Sequence, residues 1–403
     1  MNRRICSILV LTMILFNLGI PDLFAENGIT KESIVDGNNA FAFDLYKNLK
    51  SEKGNLFFSP FSISTALAMT YAGARANTEK QMAQVLHFSL DQGPFHPEYS
   101  KLIKEINQIN KKGNCQINTA NALWPQEGYE FLKAFVDIAR TNYDAEVRNV
   151  DYASKTEEAR QAINKWVEQK TNDKIKELIK PKILDPLVRL VLTNAIYFKG
   201  KWASQFKKES TKDMPFSLET GEEVKVPMMS QAAKFKYAED DDIQVLEMPY
   251  IDDELSMIVF LPKQIDGLPK LEESFTKDGV KNLLAKLHPT EVEVYFPRFK
   301  MTKGFSLGDV LKEMGMADAF GFSADFSGME PRKELYISRV IHQGFIDVNE
   351  EGTEAAAATA VVMSLKSVAI MKPVFKADHP FIYIIRENSS ASILFMGRVT
   401  DPR

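Results

Sequence analysis

The segment of this sequence whose composition most clearly indicates a function is a run of mostly small side chains, residues 352–360. It follows an acidic pair, Glu350–Glu351. A backbone with so little side-chain bulk can fit between two strands, and its chemistry would be backbone hydrogen bonding. No proline occurs in residues 352–371, so every N–H there could join a sheet. Alanine-rich segments also form exposed helical turns or flexible linkers, and composition alone leaves those two interpretations open.

Alternation along this segment separates its charges from its apolar side chains. In a strand, Thr353 and every second residue as far as Leu365 would share one face. The two charged residues, Glu354 and Lys366, would lie on the other face. The pattern therefore predicts a loop that can also become a strand, with the face of Thr353 buried.

The sequence carries none of the short motifs that identify common catalytic sites, such as a nucleophile elbow, a zinc-binding helix or a phosphate-binding loop. The five histidines are far apart, without metal-ligand spacing: His87, His96, His288, His342 and His379. We expect no enzyme, no metal and no other cofactor. His342 lies among alternating apolar residues, which indicates a hydrogen-bonded core histidine that joins strands.

Composition and charge are those of an ordinary globular protein. The chain has 403 residues, of which 45% are hydrophobic and 26% charged, with a formal net charge of −4. Binding to nucleic acid through a positive field is therefore not expected.

The N-terminus has the pattern of a secretory signal peptide. Arg3 and Arg4 precede an apolar run over residues 5–20, and the small Ala25 would precede the cleavage site. The run is shorter than the ~20 residues that span a membrane, so we expect no anchor. The sequence predicts a leader at 1–25, a domain at 26–403, and a secreted protein, or a periplasmic one in a bacterium.

Removal of this leader would remove Cys6 and leave Cys115 as the single thiol. Without an internal disulfide, stability must come from burial of the core. Cys115 opens an alternating apolar stretch, so we expect a buried small side chain rather than a nucleophile.

Hydrophobic periodicity predicts helices early in the chain and strands later. Apolar spacing indicates a helix over residues 36–50 and a second one behind a capping box, Ser154 with Glu157. Residues 187–198 are apolar enough for a strand buried on both faces, and 291–296 alternate strictly. Without regular strand–helix alternation, the fold class is α+β.

Several short strings resemble the serpin family in their order and spacing, and the resemblance runs from residue 38 to 402. They are 57–63 (FFSPFSI), 193–202 (TNAIYFKGKW), 225–229 (KVPMM), 325–329 (DFSGM), 375–381 (FKADHPF) and 394–399 (LFMGRV). The resemblance implies a single domain with three β-sheets and about nine helices. It also implies a metastable native state with an exposed reactive-centre loop at about 350–371.

The family resemblance further implies a serine protease inhibitor that acts as a suicide substrate. The protease would form an acyl-enzyme with the loop, and the cleaved loop would insert as a strand of the central sheet, an established example of strand addition. The implied hinge consists of Glu350, Glu351, Gly352, Thr353, Glu354, Ala355, Ala356, Ala357, Ala358 and Thr359.

The family's spacing from the hinge glutamate places the reactive bond at Lys366–Ser367. Lys366 would enter the specificity pocket of a trypsin-like protease, where a buried aspartate complements its charge. The bonds Leu365–Lys366 and Met363–Ser364 remain alternatives and would suit chymotrypsin-like or elastase-like enzymes.

The resemblance also assigns two groups that control loop insertion. The shutter, a polar network beneath the sheet, would consist of Ser59, Ser62, Asn194 and His342. The breach, at the top of the sheet, would consist of Trp202, Arg298 and Glu350. A Glu350–Arg298 pair can be bidentate, although an exposed pair of this kind contributes under ~1 kcal/mol.

The rival interpretation is a non-inhibitory serpin-fold protein that acts as a carrier, chaperone or storage protein. Such members tend to have bulky, charged or proline residues in the hinge, whereas residues 352–359 here are small apart from Glu354. Glu105 interrupts the lysines near residues 101–112, so we expect a solvated helix face rather than a heparin-like ligand. We expect a monomer, and Asn388 begins a potential glycosylation sequon.

Overall fold

The computed structural model describes residues 31–89, 91–109, 114–353 and 372–403. The predicted leader and most of the predicted reactive loop, residues 354–371, lie outside the described residues.

Nine α-helices occur in the described residues. They are α1 (Lys31–Leu49), α2 (Pro60–Tyr71), α3 (Ala76–Val85), α4 (Gln92–Ile109), α5 (Lys133–Tyr143), α6 (Tyr152–Lys170), α7 (Leu268–Ser274), α8 (Lys277–Leu284) and α9 (Gly308–Glu313). The start of α2 is fixed locally, because Ser59 caps it and Pro60 occupies its first position. Every residue of α2 is buried, so this helix lies inside the core.

Fifteen strands occur in the same residues. They are β1 (Leu56–Phe58), β2 (Cys115–Pro125), β3 (Glu146–Val147), β4 (Leu190–Lys201), β5 (Lys212–Ser217), β6 (Glu223–Glu239), β7 (Ile243–Pro249), β8 (Leu255–Pro262), β9 (His288–Pro297), β10 (Phe299–Ser306), β11 (Arg339–Asn349), β12 (Gly352–Thr353), β13 (Val374–Lys376), β14 (Phe381–Glu387) and β15 (Ile393–Val399).

The central sheet has six strands in the order β10-β11-β12-β4-β2-β3. The other strands form one hydrogen-bonded path, β1-β15-β14-β8-β7-β6-β9-β13, with β5 on β6. The long β6 divides this path into two sheets, because residues 228–237 pair with β9 and residues 236–239 pair with β7. The fold is therefore the expected α+β domain with three sheets.

Both faces of the central sheet are buried. One face packs on the main core, which contains α2, and the other packs against α6 in a second apolar cluster that includes Trp124 and Trp166. As predicted, β4 is buried on both faces. It begins at Leu190 rather than Leu187, whose side chain is 69% exposed.

The capping box predicted for α6 is wrong. The helix begins at Tyr152, and its cap is Asp151, whose carboxylate accepts the N–H of Ser154 at 3.0 Å. Glu157 forms an ion pair with Arg160 at 2.7 Å instead of reaching back to the cap. The helix thus begins three residues earlier than predicted, and Asp151 satisfies one of its first free N–H groups.

Cys115 is buried and unpaired, as predicted. Burial raises the pKa of its thiol to about 12, so the thiol is protonated and unreactive. In the described residues, no helix is both long and apolar enough to cross a membrane.

Candidate functional site

Strands β11 and β4 of the central sheet pair with each other along one part of their length and are separated by β12 along another. These strands pair directly and in parallel from Arg339–Val191 up to Phe345–Tyr197, and we call this contact the seam. Above the seam, β12 lies between the same two strands and is antiparallel to both. The first residues of the predicted insertion segment thus already occupy the space between β11 and β4.

Gly352 fits in this space because it has no side chain. Its φ is +151°, and a Cβ there would lie 2.0 Å from the carbonyl oxygen of Gly200 on β4. Only glycine accommodates both that backbone conformation and that approach.

Thr353 is fully buried on the face that the alternation assigns to it. Its Oγ1 lies 3.0 Å from the hydroxyl of Tyr250. The Tyr250 ring stacks on Trp202, with centroids 4.6 Å apart, and meets Phe198 edge-on at 5.2 Å. A rigid aromatic group therefore holds the inserted threonine.

The three predicted breach residues lie together at the top of the sheet. The indole N–H of Trp202 donates to the carbonyl of Asn349 at 3.0 Å. Nη1 of Arg298 lies 3.6 Å from Oε1 of Glu350, a single contact longer than a hydrogen bond. The bidentate geometry considered above does not form. The same Oε1 accepts the hydroxyl of Thr211 at 2.8 Å, so the shorter polar contact of this carboxylate is with Thr211.

The second hinge glutamate has its own partner. Oε1 of Glu351 lies 2.8 Å from Nζ of Lys208, and this hydrogen bond raises the pKa of Lys208. Sequence reasoning missed both Thr211 and Lys208, because nothing in their local sequence indicates that the chain returns to the hinge.

The four predicted shutter residues also lie together and are buried. The N–H of Ser59 donates to Nε2 of His342 at 3.1 Å. Nδ1 of His342 must therefore carry the ring proton, which it donates to Oδ1 of Asn194. The amide of Asn194 in turn donates to the carbonyl of Ser62 at 2.9 Å. Strands β11 and β4 are thereby joined to α2.

Two properties of this network follow from burial. Desolvation lowers the pKa of His342 to about 3, so the ring is neutral and keeps one tautomer. Asn121 on β2 also accepts the Asn194 amide, a partner that sequence reasoning missed. It lies directly opposite Asn194 in the β2–β4 register, which only the strand pairing reveals.

These features define a class of protein: a three-sheet domain whose own loop begins a new strand in its central sheet. The profile of the family described as "Serpin (serine protease inhibitor)" matches residues 36–402. The chain belongs to the serpin family, whose members are described as inhibitors rather than enzymes.

Curated relatives and solved structures agree with this assignment. The leukocyte elastase inhibitor of Xenopus tropicalis is 42% identical over 380 residues, which cover 92% of this chain and 100% of that protein. Serpin B3 of Homo sapiens is 41% identical over 390 residues, with 92% and 100% covered. Uncleaved ovalbumin has a TM-score of 0.86 at 32% identity, covering 92% of this chain and 100% of its own. Human thyroxine-binding globulin has a TM-score of 0.85 at 31% identity, with 93% and 100% covered.

Proposed function

We propose that this serpin inhibits a serine protease as a suicide substrate. The protease serine attacks the carbonyl carbon of Lys366, the bond to Ser367 breaks, and the new amine of Ser367 leaves. The cleaved loop then inserts into the central sheet and carries the acylated protease away before water releases it. The observation that carries the proposal is β12, which already lies between β11 and β4 in the orientation that insertion requires.

The register of β12 supports this proposal. Thr353 pairs with Val348 on one side and with Gly200 on the other. In the same antiparallel register, each further loop residue would pair with the preceding residue of β11 and of β4. Thr359 would then lie opposite both His342 and Asn194, on the shutter face.

The lower end of the inserted strand follows from the same register. Val362 would lie opposite Arg339 and Val191, where the seam begins. Met363 and Leu365 would lie beyond the start of β11. Insertion of residues 354–362 would therefore replace the whole parallel seam with two antiparallel ladders.

The free energy available from this exchange is large enough to deform an enzyme. Roughly ten additional hydrogen bonds at ~1 kcal/mol each give on the order of 10 kcal/mol. Burial of Val361 adds ~1.5–3 kcal/mol. The sum is comparable with the whole stability of an ordinary domain, ~5–15 kcal/mol.

The proposed target is a trypsin-like serine protease, because Lys366 offers a positive charge to its specificity pocket. Relatives named leukocyte elastase inhibitor support a serine protease as the partner. Because these relatives are named for elastase, the Met363–Ser364 and Leu365–Lys366 bonds remain alternatives that would suit elastase-like and chymotrypsin-like enzymes. The predicted leader makes an exported protein part of this proposal.

Incubation with trypsin, followed by denaturing gel electrophoresis, tests the proposal. We expect a stable covalent complex near the summed masses and a released C-terminal peptide that begins at Ser367. A peptide that begins at Lys366 or Ser364 would show that the reactive bond is Leu365–Lys366 or Met363–Ser364 instead. Lys366→Gln is the matched control and should lose trypsin trapping while leaving the hinge intact.

A carrier function is the second candidate, since human thyroxine-binding globulin is among the similar structures. The small hinge residues and the position of β12 favour inhibition over it. Cleavage of the wild type by trypsin without a covalent complex would support the carrier instead.

A further inference from the structure

The upper end of the seam is marked by two aromatic rings. Phe345 on β11 and Tyr197 on β4 form the last direct pair before β12 begins. Their ring centroids are 5.9 Å apart, and both residues are buried in the cluster between the central sheet and α6. Under the proposed function, these two rings would be the first pair to separate, because they lie next to the inserted end of the loop.

One ammonium group faces both rings. Nζ of Lys174, which lies just after α6, is 5.7 Å from the centroid of Phe345 and 5.9 Å from that of Tyr197. Both distances are within the range of a cation–π contact. Lys174 therefore connects the two strands across the seam, from a segment outside the central sheet.

A second lysine has a different relationship to the same ring. Nζ of Lys300 lies 5.3 Å from the centroid of Phe345 and 3.8 Å from Oδ2 of Asp347. Lys300 is on β10, which pairs with β11 over the whole of β10. If the seam opened, Lys300 would move with Phe345, so its contact would not resist separation.

We propose that Lys174 is a positioning residue that sets the rate at which the seam opens for loop insertion, an inference that rests on the proposed function. When Phe345 and Tyr197 separate, a single ammonium can remain with only one of them. The transition state for opening therefore loses one cation–π contact that the closed sheet has. A variant without the ammonium would not have this contact to lose, so its seam would open about five times faster.

Uptake of a synthetic peptide tests seam opening without a protease. The acetylated peptide of residues 354–364 is added to uncleaved protein, and formation of the binary complex is followed on native gels and by tryptophan fluorescence. We expect Lys174→Met, which keeps the apolar stem, to take up the peptide about five times faster than the wild type. Lys174→Arg, which keeps the cation, should restore the wild-type rate.

Lys300→Met is the matched control, because it removes a cation from the same ring without removing the connection across the seam. A wild-type uptake rate in Lys174→Met, or an equal acceleration in Lys300→Met, would overturn the inference. If the wild type traps trypsin while these rates are equal, the proposed function stands and only the role of Lys174 fails. If the wild type neither traps trypsin nor takes up peptide, both fail.

Discussion

The hydroxyl of Tyr250 lies 3.0 Å from Oγ1 of Thr353, so a side chain from the segment after β7 holds the start of the hinge inside the central sheet. Tyr250 is itself fixed by stacking on Trp202. The sheet is thus already open above the seam, and insertion would extend an existing strand rather than begin a new one. Extension requires the ordering of fewer residues before each new hydrogen bond forms.

Thr353→Arg should convert the inhibitor into a substrate. The arginine would place a charge on the buried face beside Tyr250, where desolvation costs several kcal/mol without a partner. We expect trypsin to cleave the loop without forming the covalent complex, as measured by the stoichiometry of inhibition. Thr353→Val, which keeps the shape, should still trap trypsin. Trapping by the arginine variant at wild-type stoichiometry would show that the alternation argument is wrong.

Tyr250→Phe should loosen the hinge without disturbing the aromatic stack. The substitution leaves the buried hydroxyl of Thr353 without its Tyr250 partner, at a cost of ~1–2 kcal/mol. Hydrogen exchange at the Thr353 amide should become roughly tenfold faster. The double variant Tyr250→Phe/Thr353→Val removes both hydroxyls, so its exchange should return towards the wild-type rate. Additive effects in the double variant would contradict a direct interaction.

The contacts of Glu350 predict unequal effects at the breach. Arg298→Ala should destabilise the native state by under ~1 kcal/mol, because this arginine is half-exposed and its contact is long. Thr211→Val removes the 2.8 Å hydrogen bond to a buried carboxylate and should cost ~1.5–3 kcal/mol. Thermal unfolding of the two variants measures this order, and the reverse order would contradict the geometry.

Glu350→Ala should favour polymerisation on heating. The substitution removes the acceptor of Thr211 and the partner of Arg298 together, so the top of the sheet would open more readily. We expect polymers on native gels at temperatures where the wild type stays monomeric. An unchanged monomer after heating would count against a role for these contacts in keeping the sheet closed.

Native-state stability should fall as the pH is lowered from about 6.5. Burial lowers the pKa of His342 to about 3 and that of His96 to about 4, whereas an unfolded histidine titrates near 6.5. Between these values the unfolded chain binds protons that the folded protein does not, so each histidine lowers stability by ~1.4 kcal/mol per pH unit. Above pH 6.5 both histidines are neutral in the folded and the unfolded chain, so they no longer lower the free energy of unfolding.

His342→Gln should reduce this pH dependence between pH 6 and 4, as measured by denaturant unfolding at each pH. His288→Gln is the control, because His288 is exposed. An unchanged slope in His342→Gln would mean that other groups cause the acid instability.

Local patterns predicted those parts of the fold that depend on side-chain periodicity. The alternation around His342 indicated a buried strand, and His342 is fully buried and hydrogen-bonded on β11. The helix predicted over residues 36–50 lies within α1, apart from its last residue. The strand predicted over residues 291–296 lies within β9.

Contacts between distant parts of the chain could not be predicted in this way. Asn121 approaches the shutter only because β2 and β4 pair in a particular register. Tyr250 and Thr211 lie between strands and reach the hinge only through the folded path of the chain. The cap of α6 was missed for a simpler reason, since Asp151 and Ser154 are both good caps and only the path of the preceding chain selects between them. The grouping of breach and shutter residues came from family resemblance, not from their local patterns.

Cys115 gives the molecule an internal reporter of its own fluctuations. Its sulfur lies in the top row of the central sheet, beside Gly200, to which Thr353 is also paired. A protonated and buried thiol reacts with an alkylating reagent only while that row is exposed to solvent. Because Cys115 is the one cysteine outside the predicted leader, the rate at which chains become alkylated measures how often the top of the sheet opens to solvent.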